Sequence, residues 1–236
     1  MSRAELSPRM LRLVLGGEGL AGLASAKPAA SIRLVVPWVG DEFEIPTWTG
    51  NEFLLADGRR PALRTFTPVD FDATTNQLTL DIVRHRGGEI SQWAEAVRMG
   101  DAAAISGPGR GESIDHDAHH YVLLGDETAI PAIRQMIEAI PDAIRVTVHI
   151  ETVSPEAQLE LPVHPRLSII WHDAEDAAAP CSQLQAAITT VAIDDATRIW
   201  AAGEAAAVQA IRKYLFNERA VPRHHTSIRG YWKVPR

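Results

Sequence analysis

The strongest constraint on this chain is a change of pattern near residue 115. Before it, short apolar runs are punctuated by glycine and proline; after it, short apolar runs alternate with helical stretches. Upstream, residues 10–15, 31–36, 64–69, 77–85 and 102–106 have strand composition and are closed by Gly16-Gly17, Pro37, the turn-rich 70–76 and Gly107-Pro108-Gly109. The helix expected there is 91–98, with Ser91 as N-cap and Trp93, Ala94 and Val97 at helical spacing. Short strands with one capping helix predict a small antiparallel β-barrel. Downstream, strands at 121–124, 144–151, 167–171 and 198–201 alternate with helices at 129–140, 181–191 and 204–219. That alternation predicts a parallel sheet covered on both faces. The expected fold is therefore a β-barrel domain, residues 1–114, followed by a parallel-sheet α/β domain, residues 115–236, with a basic C-terminal tail.

Composition narrows the chemistry. No apolar run reaches transmembrane length and the N-terminus carries no signal-peptide core, so a cytoplasmic protein away from membranes is expected. Cys181 is the single cysteine, so neither an intrachain disulfide nor a cysteine-held iron–sulfur cluster can form. A formal charge of −7 argues against nucleic-acid binding. The charge is uneven: after Glu218 the chain has no acid, but it carries Arg219, Arg223, Arg229, Lys233 and Arg236. Such a tail either attracts an anion or balances nearby acidic helices. His116, His119 and His120 lack a glutamate or cysteine at ligand spacing, so no metal site is expected; His149 and His172 read as ordinary strand histidines.

Chemistry-bearing residues cluster at Arg64-Thr65-Phe66-Thr67. Strand alternation puts Arg64 and Phe66 on one face and Thr65 and Thr67 on the other. An arginine fork can hold a phosphate, a flat ring can pack beside a flat cofactor, and a threonine hydroxyl can bond a ring nitrogen. The glycine-bearing turn from His85 to Gly88 leads into the expected helix, whose free N–H groups favour a phosphate. In the second domain Gly125 and Gly203 fall at the carboxyl ends of strands, where open α/β sheets take ligands.

The order of these elements resembles the ferredoxin-reductase type of flavoprotein. More closely, the chain is similar to the siderophore-interacting protein family of FAD-dependent ferric-siderophore reductases. The matching residues run in family order: Leu15-Gly16-Gly17, Arg64-Thr65-Phe66-Thr67, His85 with Gly88, Ser91 and Trp93, Gly100-Asp101, Gly107-Pro108-Gly109, the run from Gly125 to Ala132, the run from Trp200 to Glu204, and Gly230-Tyr231-Trp232. The resemblance implies that Arg64 holds the FAD phosphates, Phe66 lies by the isoalloxazine with Thr65 beside it, and Thr67 bonds near the reactive N5. The family usually has tyrosine at the position of Phe66, so one polar contact is lost and the ring packing kept. His85, Gly88 and Ser91 would line the pyrophosphate, with Trp93 towards the adenine. Asp126, Thr128, Ala129 and Pro131 would shape the nicotinamide end of an NADH or NADPH site, and Gly203 with Glu204 its other wall.

The resemblance further implies the reaction: NAD(P)H delivers a hydride to FAD, and single electrons pass to siderophore-bound iron(III). The chemistry resides in the flavin, so no catalytic side chain is expected. Lys233, Arg229, Arg236 and Trp232 would meet the ferric siderophore. Glu151, at the end of a strand, leans towards NADH because an acid accepts from a ribose 2′-hydroxyl and repels a 2′-phosphate. Some family members take electrons from ferredoxin instead. Two other functions stay open on the same residues: a flavin-dependent NAD(P)H oxidoreductase with another acceptor, and a non-enzymatic binding module that has lost its flavin.

Overall fold

The computed structural model of the protein describes residues 2–23, 27–85, 87–175 and 179–234. The chain divides into two compact units, Met1–Glu112 and Ser113–Arg236.

In the first unit, strands β1 (Ser2–Ser7), β2 (Met10–Gly16), β3 (Ile32–Val36), β4 (Thr47–Trp48), β5 (Phe53–Leu54), β6 (Ala62–Phe66), β7 (Pro68–Asp72) and β8 (Gln77–Val83) precede helix α1 (Glu89–Ala96) and strand β9 (Ala104–Ser106). They form antiparallel sheets ordered β1-β2-β8-β7 and β6-β3-β9, with β4 and β5 as a separate hairpin. The expected barrel is thus two antiparallel sheets sharing one core. Leu11, Leu13 and Leu15 face Ile82, Leu80 and Leu78 across the β2–β8 ladder. They pack with Ile32, Leu34 and Val36 of β3 and with Ile90, Trp93 and Ala94 of α1. On the opposite face of that ladder Arg12 and Asp81 are also cross-strand partners, joined by two hydrogen bonds of 2.7 and 2.8 Å.

Three local expectations need correction. The strand expected at 64–69 is two: β6 pairs with β3, and from Pro68 onward β7 pairs with β8 in the other sheet. Proline has no N–H with which to extend a ladder, so the sheet changes there. Helix α1 begins at Glu89 rather than Ser91, with Gly88 at its N-cap and Ser91 in its first turn. The Ser91 hydroxyl does not cap the helix; it accepts from the backbone N–H of His85 at 3.1 Å. Strand β1 was not expected, because its sequence SRAELS is polar and most of it is exposed.

The second unit contains β10 (His120–Asp126), α2 (Ile130–Ala139), β11 (Arg145–Thr152), β12 (Leu167–Asp173), α3 (Ser182–Thr190), β13 (Thr197–Glu204), α4 (Ala205–Lys213) and β14 (Thr226–Trp232). Its five strands are all parallel, in the order β12-β11-β10-β13-β14. The central strand β10 and its two neighbours β11 and β13 are almost wholly buried, as a sheet covered on both faces requires. Among the described residues no helix is long and apolar enough to cross a membrane.

Strand β14 corrects the expected basic tail. The acid-free run is not one patch: Arg219 and Arg223 precede the strand, Arg229 lies within it, and Lys233 follows it. At about 3.3 Å per residue the strand separates its two ends by roughly 20 Å. Arg236 lies outside the described residues.

The strand histidines are more constrained than expected. His149 Nδ1 and His172 Nε2 are 2.9 Å apart, with ring centroids 5.2 Å apart and planes within 19° of each other, the geometry of a head-on hydrogen bond between imidazoles. His120 meets Thr147 Oγ1 at 2.9 Å and Arg145 at 3.1 Å. Burial pushes His120 and His149 down to about 4, helped by Arg145 and His172 respectively. Both are neutral in the folded chain above that value, while the unfolded chain takes up protons below about 6.5. Their contribution to stability is therefore present above pH 6.5 and lost as pH falls towards 4. Asp126 and Glu151, whose carboxyl groups burial raises, act in the opposite sense. The variant His149→Gln isolates one term: between pH 7 and pH 5 wild type is expected to lose about 1–2 kcal/mol more than the variant, read from urea midpoints.

Candidate functional sites

Each unit gathers part of the expected site. In the first, β6 carries the Arg64 guanidinium to the start of α1, where it meets Glu89 Oε2 at 3.0 Å and donates to the Leu63 carbonyl at 2.8 Å. The Arg64 side chain is 58% exposed. Gly88 offers no side chain to cap α1, and no side-chain cap hydrogen bond is made there among the described residues. The His85 ring lies against Gly88, and Ser91 fixes the His85 backbone. A fork-shaped cation beside an uncapped helix start suits a diphosphate, through charge, N–H donors and helix dipole together. Phe66 is half-buried at the margin of the core, Thr65 is exposed and Thr67 is buried just beyond β6. Trp93 is in the core and only 8% exposed, so its ring packs the unit from within.

In the second unit the carboxyl ends of three neighbouring strands each carry a buried acid, and each acid serves the backbone that follows a strand. Asp126, ending β10, accepts from Thr128 N at 2.9 Å and Thr128 Oγ1 at 2.5 Å. Glu204, ending β13, caps α4 by accepting from Ala206 N at 2.7 Å and Ala207 N at 2.9 Å. Glu151, near the end of β11, accepts from Cys181 N at 2.5 Å and Gln183 N at 2.9 Å at the start of α3. Phosphate oxygens would need those same N–H groups, so the starts of α3 and α4 are closed to a diphosphate, whereas α2, like α1, has no side-chain cap hydrogen bond at its N-cap. Glu151 is 4% exposed and both its oxygens are engaged, which corrects the sequence argument for NADH: its carboxylate is not available to a ribose.

Burial, opposed by the Thr128 and Trp232 hydrogen bonds, raises the Asp126 carboxyl, and burial pushes the Cys181 thiol up as well. Cys181 is thus no thiolate nucleophile at neutral pH. Ala129 and Pro131 are buried in the start of α2, and Gly203 sits at the end of β13 beside Asp126. Trp232, at the end of β14, donates its indole N–H to Asp126 Oδ2 at 2.6 Å, a contact that sequence spacing gives no hint of. Arg229 is half-buried and Lys233 exposed. Among the described residues no group of three or more His, Cys, Asp or Glu is placed to hold a metal ion.

Comparison with known proteins accounts for both halves. An *Escherichia coli* protein named NADPH-dependent ferric-chelate reductase is 28% identical over 232 residues, spanning 96% of this chain and 88% of its own. The *Vibrio cholerae* protein named ferric vibriobactin reductase ViuB is 26% identical over 233 residues, spanning 97% and 85%. The crystal structure of a siderophore utilization protein from *T. fusca* superposes with a TM-score of 0.86 at 32% identity, covering 98% of this chain and 90% of that one. Residues 1–112 match the siderophore-interacting FAD-binding domain and residues 118–234 the siderophore-interacting protein domain. With matches over nearly its whole length, the chain belongs to the siderophore-interacting protein family.

Proposed function

We propose that this protein is a ferric-siderophore reductase that uses NADPH to reduce siderophore-bound iron(III) to iron(II). The observation that carries this is Arg64 beside the uncapped start of α1, within the residues that match the FAD-binding domain. One NADPH yields NADP⁺, a proton and the electrons for two iron(III) ions. Bound FAD supplies what the side chains lack, taking electrons as a pair and releasing them singly. Iron(II) binds oxygen donors less tightly than iron(III), so reduction frees the metal.

Arg64 holds the FAD diphosphate with the first turn of α1, and in doing so exchanges Glu89 for phosphate. Phe66 lies by the flavin ring, with Thr65 and Thr67 offering hydroxyls nearby. Gly88 lets the chain pass close to the phosphates, His85 lies over it, and Ser91 keeps His85 in place. Lys233 and Arg229 attract an anionic ferric siderophore, and Arg236 belongs to the same proposal. NADPH is preferred as donor on the name of the *E. coli* relative; a ferredoxin donor has no support among these relatives. A cytoplasmic location fits a reaction that draws on the cell's NADPH.

The test is anaerobic. FAD-loaded protein is mixed with NADPH while flavin absorbance is followed, then a ferric siderophore is added with an iron(II) chelator present. Bleaching, followed by recolouring with two iron(II) trapped per NADPH consumed, is the expected result. Bleaching with no reoxidation by any ferric siderophore would transfer the function to another acceptor. Failure to bind FAD at all would reduce the protein to a binding module.

A further inference from the structure

We infer that Asp126 is a positioning residue for Trp232, and that the indole it holds is a platform on which a planar ring of the nicotinamide nucleotide stacks. The inference rests on the nucleotide reading above and adds how the second unit receives that ligand. Strands β10 and β14 are not neighbours, since β13 lies between them. The Asp126–Trp232 bond therefore spans two strand spacings, roughly 10 Å, across the carboxyl end of the sheet. Gly203 of β13 makes the crossing possible. A Cβ there would lie 2.9 Å from Asp126 Oδ2, and its φ of +157° is one that other residues rarely adopt. The intervening strand thus omits a side chain at the point where the carboxylate passes over it.

Asp126 has no freedom to do otherwise. Thr128 fixes one carboxylate oxygen by two hydrogen bonds, and the other takes the indole N–H at 2.6 Å and, more loosely, the Cys181 thiol at 3.5 Å. Trp232, by contrast, is held at its nitrogen and is 37% exposed. It lies at the carboxyl end of the sheet, where ligands of this fold class enter. Glu151 and Glu204 occupy N–H groups at the starts of α3 and α4, so beside those helices the grip left to this edge is on a ring rather than on phosphate. A fixed, partly exposed indole provides it.

Calorimetric titration of NADP⁺ into the FAD-loaded protein tests this with Asp126→Asn, Trp232→Phe and the double variant. Asparagine keeps an oxygen for Thr128 but turns an N–H₂ towards the indole N–H, so the tie to Trp232 is what it breaks. Each single change is expected to weaken NADP⁺ binding about five- to tenfold. In the Trp232→Phe background, adding Asp126→Asn is expected to change binding less than about twofold. An equal loss in both backgrounds, or no loss from Asp126→Asn, overturns the inference. If Asp126→Asn does not fold, Thr128→Val loosens the same carboxylate and is judged by the same non-additivity.

A second readout needs no nucleotide. The Trp232 emission, taken as wild type minus Trp232→Phe, is expected to become more accessible to iodide in the Asp126→Asn background; unchanged quenching counts against the tie. If wild type does not bind NADP⁺, the donor reading and the stacking platform both fall, and the quenching comparison alone then decides whether Asp126 positions Trp232.

Discussion

Replacing Arg64 with alanine is expected to weaken FAD binding about a hundredfold, the equivalent of roughly 3 kcal/mol for a lost two-pronged contact with phosphate. The stability of the protein should change by less than about 1 kcal/mol, because the Arg64–Glu89 pair is largely solvent-exposed. Fluorescence titration of flavin-free protein with FAD measures the first quantity and urea unfolding the second. Arg64→Lys keeps the charge but not the fork and should fall between the two. Glu89→Gln is expected to move affinity the other way, since it removes the carboxylate that competes with phosphate for the guanidinium. Wild-type FAD affinity in Arg64→Ala would remove Arg64 from the flavin site and, with it, the main structural support for the proposed function.

Gly125→Ala is expected to give the largest loss of stability, about 3 kcal/mol, seen as a fall in Tm of roughly 10 °C for the second unit. A methyl group at this position would lie 2.4 Å from the Ala129 Cβ, 3.1 Å from Ile133 Cδ1 and 3.3 Å from the Ala202 carbonyl oxygen. The nearest of these is a short side chain beside the helix start and cannot swing away. Relief would require the turn between β10 and α2 to move, carrying Asp126 and Thr128 with it. Calorimetric melting of wild type and variant checks the expectation, and a shift of less than about 2 °C would mean that the turn is far more pliant than its packing suggests.

The elements that could be read from the chain are those that bury a face. Met10 to Leu15, Leu78 to Ile82 and Val146 to Ile150 declare themselves by apolar spacing because each packs into a core. Strands β1 and β14 do not, because each pairs on one side only: β1 has one buried residue, Ser7, and β14 has one, Ile228. The basic residues around β14 supplied a stronger signal than its own pattern, and a strand passed for a tail. Similar limits apply to the sites. Arg64 is legible from residue type, but its meeting with the start of α1 depends on a helix that begins two residues before the apparent serine cap. Glu204 ahead of an alanine-rich run is a local signal for a helix start. Nothing local announces that Trp232 reaches Asp126, since the partners are 106 residues apart.

That separation also sets an order of events during synthesis. At about 5–20 residues per second, the strand that carries Trp232 leaves the peptidyl transferase centre roughly 5–20 s after Asp126. Through that interval Asp126 lacks its indole donor, and β13 itself is made only late in it. The first unit already has all its strands by then and is free to fold. The first unit can therefore complete its core while the second still lacks the strand that carries Trp232.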